Sequence, residues 1–204
     1  MIMIVDYGIG NINSIKNMLD RVGAECLVSS KIEDMLAANK IILPGNGSFD
    51  ACMVALKNTG LIPVIKRRVK LEGVDLLGIC VGAQMLGNGS QEGSEPGLGL
   101  IDMHVRRFPA LPGLVIPHMG WCQVQRTNNT APMLKSLDDD ARFYFVHSYF
   151  MQVARSQDIL LTAHYGLDFT AAVQVDNITG VQFHPEKSHR YGKQLLKQFA
   201  GVVV

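Results

Sequence analysis

One tryptophan, four cysteines and a charged fraction of 18% are spread through 204 residues. The cysteines, Cys26, Cys52, Cys80 and Cys122, lie 26, 28 and 42 positions apart with no CxxC pair. That spacing excludes the usual zinc cluster and a dense disulfide framework. It fits a cytoplasmic protein with reduced thiols. Lys plus Arg is 19 against 18 for Asp plus Glu, and no run of like charge is longer than three residues (Lys66-Arg67-Arg68). A basic face for nucleic acid or an anionic membrane is therefore lacking. No apolar stretch approaches the roughly 20 residues that cross a bilayer. Met1 to Tyr7 is apolar but carries Asp6 and no preceding basic segment, so it reads as a first strand and not as a signal peptide. What is plentiful is apolar character, at 48%. This excludes intrinsic disorder and gives one domain, residues 1–204, a full core without disulfide or metal staples.

The first half alternates strand and helix signals. Met1–Asp6 ends in Tyr7-Gly8-Ile9-Gly10. From Asn11 to Val22 the residues Ile12, Ile15, Met18, Leu19 and Val22 recur at helical spacing. Strands are expected at 25–29, 40–43 and 74–79, and helices at 31–38, 49–56 and 61–71. Continuous apolar strands between helices imply a parallel sheet covered on both faces. Five glycines between Gly87 and Gly99 mark a loop. Beyond it strand signals dominate, at 101–106, 121–125, 142–146, 159–165, 171–175 and 178–183, with a hairpin turn at Asp176-Asn177. A helix over 188–202 closes the chain. The expected fold is α/β: a three-layer, mostly parallel open sheet with antiparallel strands added in the second half.

Three segments carry chemistry. In Gly78-Ile79-Cys80-Val81-Gly82 an apolar strand turns into a helix at a cysteine, with glycine two residues to either side. This is a nucleophile elbow, in which the glycines remove side chains that would clash in the sharp turn. The helix amides behind Cys80 favour thiolate, and the Val81 amide is placed to hold an oxyanion. Most cysteines at strand ends are plain core thiols; the flanking glycines set this one apart. In Phe183-His184-Pro185-Glu186 a histidine ends an apolar strand with a carboxylate two positions on. Residues i and i+2 of extended chain point the same way, so Glu186 can orient His184 as a base. Finally, Pro44-Gly45-Asn46-Gly47 follows the third strand and offers backbone N–H groups toward Cys80, although the same string also makes an ordinary turn.

The order Cys, His, Glu and the elbow Gly-Ile-Cys-Val-Gly-Ala-Gln resemble the class I (triad) glutamine amidotransferases. Five further segments, between residues 6 and 188, are similar to the glutaminase subunits of imidazole glycerol phosphate synthases. They are Asp6-Tyr7-Gly8-Ile9-Gly10-Asn11, Leu43 to Gly47, Pro117-His118-Met119-Gly120-Trp121, Phe143 to Tyr149 and Gly180 to Ser188. The resemblance implies a flavodoxin-like sheet and a Cys80, His184, Glu186 triad that hydrolyses glutamine through a glutamyl thioester. It places Val81, Asn46 and Gly47 at the oxyanion. Gly45, Gln84, Glu92, His147, Ser148 and Tyr149 fall at the glutamine pocket. Asn11, Pro117, His118, Met119, Trp121 and Tyr144 fall where a (β/α)₈-barrel synthase subunit docks to form a heterodimer and receive ammonia. No metal or organic cofactor is implied, and no nucleic-acid or membrane partner.

Two residues depart from the family pattern. Asn46 stands where a small aliphatic residue is usual, in a loop expected to gate activity. Cys122 stands where asparagine follows the Pro-His-Met-Gly-Trp segment, near the expected interface. Both leave open a paralogue feeding a different barrel synthase, for instance one that modifies a sugar for surface polysaccharide. Two other readings are a free-standing cysteine hydrolase and a nucleotide-binding module. The last is disfavoured because a GxGxxG after Gly8 needs glycine where this chain has Asn13, and no acidic residue sits suitably at the second strand.

Overall fold

A computed structural model describes residues 1–127 and 131–202. Its elements are β1 (Ile2–Val5), α1 (Ile12–Arg21), β2 (Cys26–Ser29), α2 (Ile32–Ala37), β3 (Lys40–Leu43), α3 (Phe49–Asn58), α4 (Ile62–Lys70), β4 (Asp75–Ile79) and α5 (Val81–Gln84). They continue with β5 (Gly89–Ser90), β6 (Met103–Arg107), β7 (His118–Arg126), β8 (Arg142–His147), β9 (Tyr149–Val153), β10 (Ile159–His164), β11 (Asp168–Val175), β12 (Ile178–Val181) and α6 (His189–Ala200).

The strands form one sheet in the order β2-β1-β3-β4-β12-β11-β10-β7-β8, with β5, β6 and β9 branching from it through β11. The pairs β2/β1, β1/β3, β3/β4 and β4/β12 are parallel, and every pair from β12 onward along that order is antiparallel. The sheet is thus parallel through its first half, with antiparallel strands added in the second, as expected. The reason lies in the connections: β11 and β12 are joined by the two-residue turn Asp176-Asn177, which allows only antiparallel pairing. Within the parallel part, every residue of β1 and β12 is buried. Both faces of each are covered, as their unbroken apolar sequences require.

Helices cover those faces with the stripes read from the sequence. α3 buries Phe49, Cys52, Met53 and Leu56, and α6 buries Tyr191, Leu195, Leu196 and Phe199. Both sets follow i, i+3/i+4, i+7/i+8 spacing. Phe49 is wholly buried, and a side chain of that size contributes roughly 1.5–3 kcal/mol. α6 ends at Gly201, whose φ of +74° forms the left-handed cap.

The helix after Cys80 is a single turn, because Met85 and Leu86 lead the chain into the glycine-rich segment. Two local expectations need correction. β9 was not foreseen; its burial does not alternate cleanly, since it is held between β6 and β11 in the branch of the sheet. β7 starts at His118, earlier than expected, because it pairs with the full length of β8.

Candidate active site

Cys80 lies at the end of β4. There φ is +55° and ψ −114°, a conformation rare for a non-glycine residue. The surroundings enforce it by close backbone approach. A Cβ on Gly82 would lie 2.0 Å from the Leu43 carbonyl oxygen, and one on Gly45 2.1 Å from the Gly82 nitrogen. Gly45 therefore packs the β3 loop against the elbow from behind; it does not line the pocket. Tyr7 Oη donates to the Pro44 carbonyl and fixes the same loop.

β12 runs parallel beside β4 in the register Gly180↔Gly78 and Val181↔Ile79, and the Cys80 amide donates to the Val181 carbonyl at 2.8 Å. Parallel strands deliver their next residues to the same edge. Residues 182 to 184 accordingly arrive next to Cys80. His184 remains extended, but Pro185–Lys187 is a 3₁₀ turn. Glu186 reaches back by that turn and not, as expected, by lying two positions on in extended chain. Proline at the start of the turn and the Ser188 hydroxyl donating to the His184 carbonyl at 2.6 Å close it.

His184 is 2% exposed, and its Nδ1 lies 2.8 Å from Oε1 of the fully buried Glu186 carboxylate. Its remaining nitrogen is left to the Cys80 thiol, whose proximity favours the charged ring. Burial opposes charge on this imidazole, yet its interactions with Cys80 and Glu186 outweigh it and raise the His184 pKa well above the ordinary value. The site therefore favours a protonated His184 ring.

Two further groups complete this line, and the sequence reading missed both roles. Asn11, expected at a partner surface, is half-buried and donates from Nδ2 to the same Glu186 oxygen at 2.9 Å. Gln182 is wholly buried, points Nε2 at Cys80 Sγ (3.9 Å) and accepts from Gln84 Nε2 at 3.0 Å. Its only sequence signal was an amide inside an apolar strand.

Outside the thiol lies a cavity of about 190 Å³. It is lined by Asn46, Gly47, Cys80, Val81, Gln84, Glu92, Pro117, Val146, His147, Ser148 and Tyr149. Oε2 of Glu92 accepts the Phe49 amide at 2.8 Å, a bond that ties the glycine-rich segment to the start of α3. Gln84 Oε1 is buried with no hydrogen-bond partner among the described residues. The Asn46–Gly47 peptide is held at both ends: its carbonyl accepts from the Cys52 thiol at 3.3 Å, and its N–H donates to Asn46 Oδ1 at 2.9 Å. Cys52 is thus more than core filler. His147 has both ring nitrogens engaged by protein, so it walls the cavity without offering a bond.

Beside the pocket, Met119 and Trp121 project from one face of β7 at 62% and 46% exposure. Trp121 stacks on His189 and faces Tyr144 edge-on, with the Lys187 ammonium over the Tyr144 ring. His118 is only 4% exposed and offers no surface. Strand alternation turns it, like Cys122, to the opposite face. The Cys122 thiol points at the His164 carbonyl, 3.4 Å away, and not at the patch. All four cysteines are free, and no helix among the described residues is long and apolar enough to cross a membrane.

A thiol, an imidazole and a carboxylate in line at the carboxyl edge of a parallel sheet is the arrangement of a triad amidotransferase. The family described as glutamine amidotransferase class-I matches residues 3–202. A solved glutamine amidotransferase superimposes with a TM-score of 0.76 at 22% identity, covering 98% of this chain and 99% of that one. Imidazole glycerol phosphate synthase subunit HisH 2 of Pseudomonas aeruginosa is 50% identical over 203 residues, all of both chains. Subunit HisH of Bdellovibrio bacteriovorus is 45% identical over 99% of this chain and 100% of its own length. The chain belongs to the class I glutamine amidotransferases and, within them, to the HisH family.

Proposed function

We propose that this protein hydrolyses glutamine as the glutaminase subunit of an imidazole glycerol phosphate synthase in histidine biosynthesis. It works in the cytoplasm as a single domain, in a heterodimer with a (β/α)₈-barrel synthase subunit. The observation that carries the chemistry is His184, buried between the Cys80 thiol and the Glu186 carboxylate.

The steps use the triad as it stands and one loop amide that must be released. His184 takes the Cys80 proton, and Sγ attacks the side-chain amide carbon of glutamine. The resulting oxyanion is met by the Val81 N–H, which as the first amide of α5 has no acceptor within the helix. The Gly47 N–H is the second donor once it leaves Asn46 Oδ1. His184 passes its proton to the departing nitrogen, the C–N bond breaks, and ammonia leaves a glutamyl thioester. Water, deprotonated by His184, then attacks the thioester; glutamate departs and the proton returns to sulfur. Asn11 and Glu186 hold His184 in one tautomer throughout, with Nδ1 carrying hydrogen toward Glu186. Gln84 Oε1, buried and unpaired, accepts a hydrogen from the bound glutamine. Ammonia passes to the barrel subunit, which docks on the Met119 and Trp121 face next to the cavity mouth.

Glutamate release is to be measured with the histidine-pathway barrel subunit of the source organism, with and without its nucleotide ligand. Stimulation by both, dependent on Cys80, is expected. Absence of both complex and stimulation assigns the same triad to a different barrel synthase. High turnover by the chain alone indicates a free-standing hydrolase.

Asn46 supplies a second test. Its side-chain oxygen occupies the Gly47 N–H, and Asn46→Val removes that acceptor from an exposed position. The rate without nucleotide ligand should rise about tenfold, since an oxyanion donor is worth roughly a hundredfold or more. Stability should change by less than about 1 kcal/mol. An unchanged rate would return Asn46 to an ordinary surface role.

A further inference from the structure

His118 opens β7 and His147 closes β8, and the two are directly paired across the strands. They are 4% and 6% exposed. His118 Nδ1 lies 3.1 Å from His147 Nε2, and His147 Nδ1 lies 2.8 Å from the Tyr149 carbonyl oxygen.

These contacts admit one arrangement of hydrogens. A carbonyl oxygen only accepts, so the hydrogen of the second contact sits on His147 Nδ1. Burial lowers the His118 pKa to about 4. It lowers His147 to about 3, assisted by the charges of His118 and His184 and opposed by the bond to Tyr149. Near neutral pH each ring therefore holds one hydrogen. His147 Nε2 is then bare, and the hydrogen between the two rings belongs to His118 Nδ1. The chain runs one way, from His118 to His147 to the Tyr149 carbonyl.

That carbonyl also accepts Gln84 Nε2 at 3.2 Å. Gln84, His147, Ser148 and Tyr149 all line the cavity beside Cys80, whereas His118 does not. The His118 ring is held by Tyr165, stacked at 3.9 Å and 18°, and by Phe145 at 5.2 Å and 20°. Neither ring contact supplies a donor for His147 Nε2; among the described residues only His118 Nδ1 does.

We propose that His118 is a positioning residue for the glutamine pocket. By donating from Nδ1 it keeps the His147 hydrogen on Nδ1, and so anchors the Tyr149 carbonyl and the Ser148–Tyr149 backbone that walls the cavity. This rests on the glutaminase reading and names a residue that acts through two others. The relay starts one residue from exposed Met119 and ends in the pocket, joining the two through hydrogen bonds.

His118→Phe keeps a ring against Tyr165 and Phe145 but removes the donor. His118→Asn returns an amide N–H near the position of Nδ1. In the complex with the barrel subunit, His118→Phe should raise KM for glutamine roughly tenfold while kcat changes less than about threefold, because ground-state positioning is lost and the triad is intact. His118→Asn should recover KM to within about threefold of wild type. Nitrogen-15 NMR of histidine in the unmodified chain should show both buried rings as Nδ1–H tautomers with bare Nε2.

A folded His118→Phe with wild-type KM, or an Nε2–H on His147, would overturn the proposal. If His118→Phe does not fold, the asparagine variant and the tautomer spectrum decide. If the wild-type complex releases no glutamate, the glutaminase reading fails first, and the spectrum of the chain alone still judges the relay.

Discussion

Cys80→Ala is expected to release glutamate at less than about a thousandth of the wild-type rate, a loss of about 4 kcal/mol of transition-state stabilisation or more. The variant removes the sulfur that His184 serves and leaves water to attack an unactivated amide. It should leave the rest of the molecule alone. Alanine keeps the Cβ, so the backbone at φ +55° is neither relieved nor further strained. The lost atom is small and lies at the cavity floor. Glutamate release and titration with the barrel subunit are the paired measurements. Undiminished partner binding with abolished hydrolysis is the expected pair of results. Residual turnover above a thousandth of wild type would remove Cys80 as nucleophile.

The second large effect is on folding. Gly82→Ala should cost at least about 3 kcal/mol, the upper end of the usual range for overpacking. For a chain of this size that is a fall of roughly 6–12 °C in the thermal midpoint. The added Cβ would stand 2.0 Å from the Leu43 carbonyl oxygen and 2.9 Å from the Leu43 and Pro44 carbonyl carbons. These are backbone atoms at the end of β3 and cannot rotate away. Their loop is itself tied down by Tyr7 and Cys52, so relief would have to come from moving the elbow. Activity should fall with stability, because Cys80 moves with it. Gly89→Ala is the control: nothing lies within 4 Å of its Cβ position, and a change under about 1 kcal/mol is expected. Equal losses at the two sites would refute the packing argument.

Much of the architecture is written locally. α1, α3, α4 and α6 lie within a few residues of the stretches where apolar side chains recur at helical spacing. The inner parallel strands fall on continuous apolar runs, which mean burial on both faces, while β2 at the edge is only partly buried. β9 did not show itself, because a strand held at a branch of the sheet has no single exposed face to print an alternation. The pairing partners and order of the antiparallel strands were not legible for a related reason. Strand direction is set by connections and register, which periodicity does not record.

The glycine-flanked Cys80 and the nearby pair His184 and Glu186 stand out in the sequence alone, because a sharp turn and a short reach are local demands. That His184 meets Cys80 was decided by tertiary structure, through the parallel register of β4 and β12. Tertiary structure also moved Asn11 from an expected surface to the Glu186 carboxylate and His118 from an expected surface to the interior. A side chain's type and spacing follow from its neighbours in the chain. Its hydrogen-bond partner follows from whichever strand or loop folding brings beside it, and for Asn11 that partner lies 175 residues away.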